Sequence, residues 1–300
     1  MARSMLNMIT RAQLCSPLTT HQETQMKLKT LAALVATLGT IGSANAFALF
    51  NGENILEDDN REYLIKGTGN TDAGTLQIGD KLRGVIEFGQ ILEGNGPGTL
   101  NPINPELTGI FETQIVNIIG TTIIWGSSAS FTSVYGAGAM VALYTGGTNL
   151  DINGAPSIAA AELAATDGAL WAVAGFADAD DQWVSFNSNL NWGVVTGLGG
   201  ATKVATVNYS LSLLVNNTGY LFNEQALDCI PVGGPFVCAG DGKTDIVGSG
   251  DVLGGRGLTN GYGARSDIDV TLNAIPEPGS LALIALGLLG AGSLSRRRSA

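Results

Sequence analysis

The sequence predicts an all-β body of β-sandwich-like form, with an N-terminal signal helix before it and an apolar C-terminal helix after it. Two stretches alternate between apolar and polar residues. Val207, Tyr209, Leu211 and Leu213 share one face of Thr206–Leu213, and Ser266–Asn273 alternates in the same way. A period of two places every second side chain on one face of a strand, so one face is buried and the other wet. Glycine is frequent at 42 residues, aromatic residues make up only 6%, and short apolar runs recur between turn signals. That is the spacing of many short strands with tight connections.

From the beginning of the chain, Met26-Lys-Leu-Lys29 is a basic start, Thr30–Ile41 is an apolar core, and Gly42-Ser-Ala44-Asn-Ala46 is a small-x-small cleavage pattern. This is the layout of a secretory signal peptide over residues 26–46, too short to serve as a retained membrane span. Ala44 and Ala46 mark the cleavage site, and Phe47 becomes the mature N-terminus. Residues 1–25 precede a complete signal peptide and carry polar Arg11, Gln13, His21, Gln22 and Glu23. Met26 is therefore expected as the true start, with Met1–Gln25 a mis-called extension.

The body, residues 47–275, holds 8 basic and 24 acidic residues, a net charge of −16. Phosphate backbones need basic surfaces, so nucleic acid is not an expected partner. The only histidine, His21, lies ahead of Phe47. Ser-His-Asp and Cys-His catalysis and histidine-ligated zinc or copper are therefore excluded from the mature body. Cys229 and Cys238 bracket a Pro- and Gly-rich reversal. In an oxidising compartment they are expected to form a disulfide.

Strands are expected at Lys81–Leu92, Gly109–Trp125, Ser130–Tyr135, Met140–Thr145, Leu170–Phe176, Trp183–Asn187, Trp192–Thr196, Thr202–Val215 and Ile268–Asn273. A helix is expected at Ser157–Thr166, between Pro156 and Gly168, and a short second one at Asn54–Arg61. Leu82-Arg-Gly84-Val-Ile-Glu87 and Leu107-Thr-Gly109-Ile-Phe-Glu112 share one form at a 25-residue offset. They read as equivalent strand starts whose glutamates face solvent. The competing reading pairs Glu87 with Glu112 as catalytic carboxylates.

No cofactor is expected beyond a calcium ion, which takes oxygen ligands from acidic loops. Asp178, Asp180 and Asp181 are the best candidates, with solvated loop carboxylates as the ordinary alternative. Other acidic groups are Glu57-Asp58-Asp59-Asn60 and the Gly-rich loop carrying Asp241, Asp245 and Asp251. Trp125, Trp171, Trp183 and Trp192 would form either a sugar-binding platform or sandwich core, and core is the more common use.

The tail, residues 276–300, begins with Pro276-Glu277-Pro278. Each proline removes a backbone donor and restricts its predecessor, so the triplet is expected to be extended. An uncharged run through Leu281–Leu294 follows, then Arg296, Arg297 and Arg298. As a helix, that run reaches about 22 Å at 1.5 Å per residue, short for a comfortable span. The arginines are expected to stay cytoplasmic as a membrane stop. This order resembles the PEP-CTERM sorting signal of Gram-negative bacteria.

The resemblance implies recognition at Pro276, Glu277 and Pro278 by an exosortase-like membrane protease, after export by Sec-type machinery and cleavage by signal peptidase. It further implies transient anchoring in the inner membrane, then delivery to the cell envelope or extracellular space, commonly beside exopolysaccharide. The body is read as a non-enzymatic structural or adhesive protein of biofilm. The alternatives are a carbohydrate-binding module, calcium-assisted or not, and a polysaccharide-active enzyme working with carboxylates alone.

Overall fold

The computed structural model describes residues 48–72, 74–94, 96, 98–226 and 242–276. Long strands dominate the first half: β1 (Gly52–Ile65), β2 (Lys81–Glu93), β3 (Leu100–Ile119) and β4 (Thr122–Ser127). Shorter ones follow: β5 (Ala139–Thr145), β6 (Ala169–Gly175) and β7 (Gln182–Asn187), then the long β8 (Lys203–Asn216). The last five are β9 (Tyr220–Phe222), β10 (Gln225–Ala226), β11 (Lys243–Thr244), β12 (Ile246–Gly254) and β13 (Ala264–Pro276). Among the described residues, three short helices lie between strands: α1 (Ala129–Tyr135), α2 (Ile158–Ala165) and α3 (Trp192–Gly197).

The all-β class holds, and the two walls of the expected sandwich belong to one closed sheet. Pairing runs β12-β13-β1-β2-β3-β4-β7-β8, and β8 pairs with β12 to complete an antiparallel ring of eight strands. One wall of this barrel is split. Along a single edge of β3, residues 107–111 pair with β5 and residues 113–119 with β4. On β8, residues 205–210 pair with β7 and residues 212–216 with β6. Closure removes the exposed edges that would otherwise template aggregation.

The interior is filled from all sides by Leu56, Ile86, Phe88, Leu107, Phe111, Ile115, Trp183, Val207, Tyr209, Leu211, Ile268 and Val270. At its centre the rings of Phe111 and Trp183 stack at 5.9 Å, and Trp183 and Tyr209 at 4.6 Å. Gly248 on β12 sits directly opposite Tyr209 on β8. A Cβ at Gly248 would lie 2.0 Å from the Tyr209 ring, so glycine is what lets the ring lie flat across the closing pair.

Four local expectations are corrected. Ser130–Tyr135 is helix α1, because Ser128 caps it by accepting from the Phe131 amide at 3.2 Å, which offsets its β-branched content. Trp192–Thr196 is helix α3, capped in the same way by Asn191. Asn54–Arg61 is strand, held between β2 and β13. The Gly-rich stretch beyond Asp245 is strand β12 as far as Gly254. Its glycines make room for the Tyr209 ring and, at Gly250, for the close approach of the Asp267–Ile268 backbone. The helix expected at Ser157–Thr166 is present as α2.

Gly248→Ala should destabilise the barrel by about 1–3 kcal/mol, the cost of overpacking a filled core. Denaturant unfolding with an unchanged midpoint would show that the ring does not depend on this contact.

Candidate functional site

Strand β13 connects the barrel to the tail. It pairs with β12 through Leu272 and with β1 through Ala274. Beyond the end of β12, β9 takes over the edge: Ala274 faces Phe222, Ile275 faces Leu221, and Pro276 faces Tyr220. The Asn223 amide donates to the Asn273 carbonyl at 2.9 Å. The chain's beginning arrives at the same place, where the amide of buried Leu49 donates to the Tyr220 hydroxyl at 3.1 Å. Pro276, the first residue of the triplet, is thus the last residue of a barrel strand, and no linker separates the two.

Inside the barrel, β1 and β13 carry a polar ladder through a mostly apolar space. Asn60 donates to the Asp58 carboxylate at 2.7 Å and to Ser266 at 3.1 Å, and Ser266 donates to Glu62. The Ile268 amide donates to Asp58 at 2.8 Å. Glu62 is 1% exposed; burial pushes its carboxyl up to about 7, against the opposing pull of the Ser266 hydrogen bond and Arg61. Asp58 keeps some accessible surface on a cavity wall, yet burial also raises it well above the carboxylate range. The two internal cavities along this ladder measure about 40 Å³ each, room for water but not for a sugar ring.

On the outer wall, Arg83 holds α2 against the sheet. It donates to Glu162 through Nε at 2.6 Å and Nη2 at 2.9 Å, and to Glu112 through Nη1 at 2.9 Å. Tyr63 donates to Glu162 at 2.8 Å, while Ser128 and Ser130 both donate to Glu112. Hydrogen bonds from Ser128, Ser130 and Arg83 outweigh burial and hold Glu112 below its ordinary range. An open groove of about 370 Å³ lies between α1 and α2, with Arg83, Ser130, Tyr135 and Glu162 on its walls.

The residues singled out from sequence are placed as follows. Glu87 and Glu112 stand on adjacent antiparallel strands, opposite Thr108 and Arg83 respectively, so the repeated motif does not bring them together. Glu112 is 2% exposed and ion-paired, which corrects the expectation that it faces solvent. Glu87 is pushed up to about 7 by burial and by Glu106, Asp59 and Asp151. Trp125, Trp171 and Trp183 are core and Trp192 packs partly buried against it, so they form no platform.

Asp181 accepts from the Ala177 amide at 2.6 Å and from Ser212 at 3.1 Å, and Asp180 accepts from the Gly242 amide at 2.8 Å. Asp178 is raised by its hydrogen bond to Asp180, which is lowered by the same bond and by the Lys243 and Gly242 amides. Among the described residues no three metal-ligating side chains converge. These carboxylates serve as acceptors for the surrounding backbone. Ala44, Ala46, Cys229, Cys238, Asp241, Glu277, Pro278 and Arg296–Arg298 lie outside the described residues, the two cysteines between the paired strands β10 and β11. Among the described residues no helix is long and apolar enough to cross a membrane.

The architecture is a closed β-barrel continuing without a spacer into a C-terminal processing segment. Residues 274–298 match the family model described as PEP-CTERM protein-sorting motif, so the tail is a PEP-CTERM sorting segment, the mark of an exported, exosortase-processed protein. Among curated proteins nothing matches the chain. A solved structure described as "Structural Studies of Acetoacetate Decarboxylase" aligns at 11% identity over 79% of this chain and 93% of that one. Its TM-score is 0.22, too low to bear on fold or activity.

Two predictions come from this geometry. A carboxyl raised by folding stabilises the native state below its unfolded value and loses that contribution as pH rises through its folded value. Glu62, Glu87 and Asp58 all act in this sense. The lowered groups Asp72, Asp80, Glu112 and Asp180 lose their contribution only below the ordinary carboxylate range. The barrel should therefore be more stable at pH 5 than at pH 8 by on the order of 2 kcal/mol, and Glu62→Gln should flatten that slope; a slope that rises with pH would refute the assignment.

Arg83→Met should cost on the order of 2 kcal/mol, less than a fully buried pair because Lys81 remains near Glu112. Arg83→Lys should not restore it, since one ammonium lacks the fork that spans two carboxylates. Chemical denaturation of both variants checks this.

Proposed function

We propose that this chain is an exported, exosortase-processed protein of the cell envelope or extracellular matrix, with a structural or adhesive role beside exopolysaccharide and no catalysis of its own. The observation that supports it most is the fusion of the sorting segment to strand β13: the body is built to be carried through the membrane and handed over whole. The signal segment at 26–46 directs the chain to Sec-type export. The apolar run before Arg296–Arg298 holds it in the inner membrane until the cut. The body suits an exposed location, since a closed sheet offers no long free edge to a crowded matrix. Its net charge of −16 keeps copies apart.

The open groove favours a second reading, binding of a saccharide. Its walls combine Tyr135 with the polar Arg83, Ser130 and Glu162, the mix of ring face and hydrogen-bonding groups that sugars use. The four tryptophans take no part in it.

The test is Glu277→Ala in the full chain, produced in a strain with an active sorting protease. The unaltered protein should appear outside the inner membrane at reduced mass. The variant should stay in the membrane fraction with its arginines in place. Equal release of both would contradict the proposal.

A further inference from the structure

We propose that β9 is a clasp that keeps the first residues of the sorting segment inside the sheet, so that the sorting protease can cut only C-terminal to Pro276. This rests on the processing reading above and adds to it where the cut can fall. The family match begins at residue 274, whereas β13 runs to Pro276, so Ala274, Ile275 and Pro276 belong to both. Ala274 is fully buried and is paired on both sides, with Gly52 of β1 and Phe222 of β9. Ile275 and Pro276 are opposite Leu221 and Tyr220. A protease takes its substrate as an extended chain with the backbone free to pair. To cut before Pro276 it would first have to strip β9 away.

The clasp is stiff. β9 is joined to β8 by the turn Asn217–Gly219, whose side chains close it. The Asn216 amide group donates to the Tyr220 carbonyl at 2.8 Å, the Thr218 hydroxyl donates to Asn216 at 2.7 Å, and the Tyr220 amide donates to the Thr218 hydroxyl at 3.0 Å. Gly219 supplies the left-handed backbone at φ 79°. The Tyr220 hydroxyl also holds Leu49, so one residue gathers both the start and the end of the body. The cut is a hydrolysis in which water adds across one peptide bond, its oxygen to the carbonyl carbon and its proton to the departing nitrogen. The retained product then keeps every residue of β13.

Two measurements on the full chain test this. The first is the intact mass and C-terminal peptide of protein released from a strain with an active sorting protease. The terminus should be Pro276 or a later residue, and a terminus at Asn273, Ala274 or Ile275 would overturn the proposal. The second is proteinase K digestion of the purified chain, which needs no sorting enzyme. The resistant core should end at Pro276 or beyond, and in Leu221→Pro it should lose at least the three residues 274–276. Leu221 is 50% exposed, so the change removes a backbone donor without touching the core. Should that variant fail to fold, Asn216→Ala, at the exposed last residue of β8, should give the same loss at lower protease concentration than the parent requires. A variant core ending where the parent's ends would overturn the clasp. A chain that stays uncut in the sorting strain, while its core ends at Pro276 with proteinase K, would defeat the processing reading and with it the limit on the cut, leaving the β9 pairing intact.

Discussion

The closure of the sheet between β8 and β12 is the constraint on which the molecule depends. Once those strands pair, every inward side chain faces another, and a core of few aromatics is enough to fill the space. The Phe111–Trp183–Tyr209 stack does this at the centre, drawing on β3, β7 and β8. It is possible only because Gly248 leaves room beneath the last ring. The same closed interior sets the behaviour of the polar ladder. Asp58, Asn60, Glu62 and Ser266 bond to one another in place of water, with Asn60 Oδ1 and Glu62 Oε2 left unpartnered, which favours protonated carboxyls there.

Strand β13 carries this construction to the end of the body. It borders β1 along its length and β12 for most of it, contributes Ser266 to the ladder and Ile268 and Val270 to the core, and then passes under β9 into the sorting segment. Folding and sorting meet in one strand. A body that is exported, cut and left standing gains from this arrangement, since its last barrel strand is complete by Pro276.

Much of this was legible in the sequence where the physics is local. Alternation revealed β8 and β13, because each faces an apolar interior on one side and the outside on the other. The sorting tail was legible because it is a linear pattern read without folding. Alternation failed in β1, where inward Asp58, Asn60 and Glu62 put polar residues on the buried face, and the stretch read as helix. It failed in β12, where inward glycines read as loop although they serve a tyrosine on another strand. Ser128 and Asn191 were signals available for α1 and α3, but β-branched and aromatic content pulled both toward strand. Glu112 could not be placed, since its partners Arg83, Ser128 and Ser130 come together only through pairing of β2 with β3 and the α1 cap. The junction with β9 was equally hidden, because Tyr220 and Pro276 are neighbours only in the folded sheet.

The central claim, that the barrel ends at Pro276 and not before, is tested most directly by thermal unfolding of two mature bodies that start at Phe47. One ends at Pro276 and the other at Asn273. The account predicts that the first melts with the barrel of the full chain. The second should melt lower by about 4–8 °C, the shift expected for roughly 2 kcal/mol in a chain of this size. Identical midpoints for the two would contradict it.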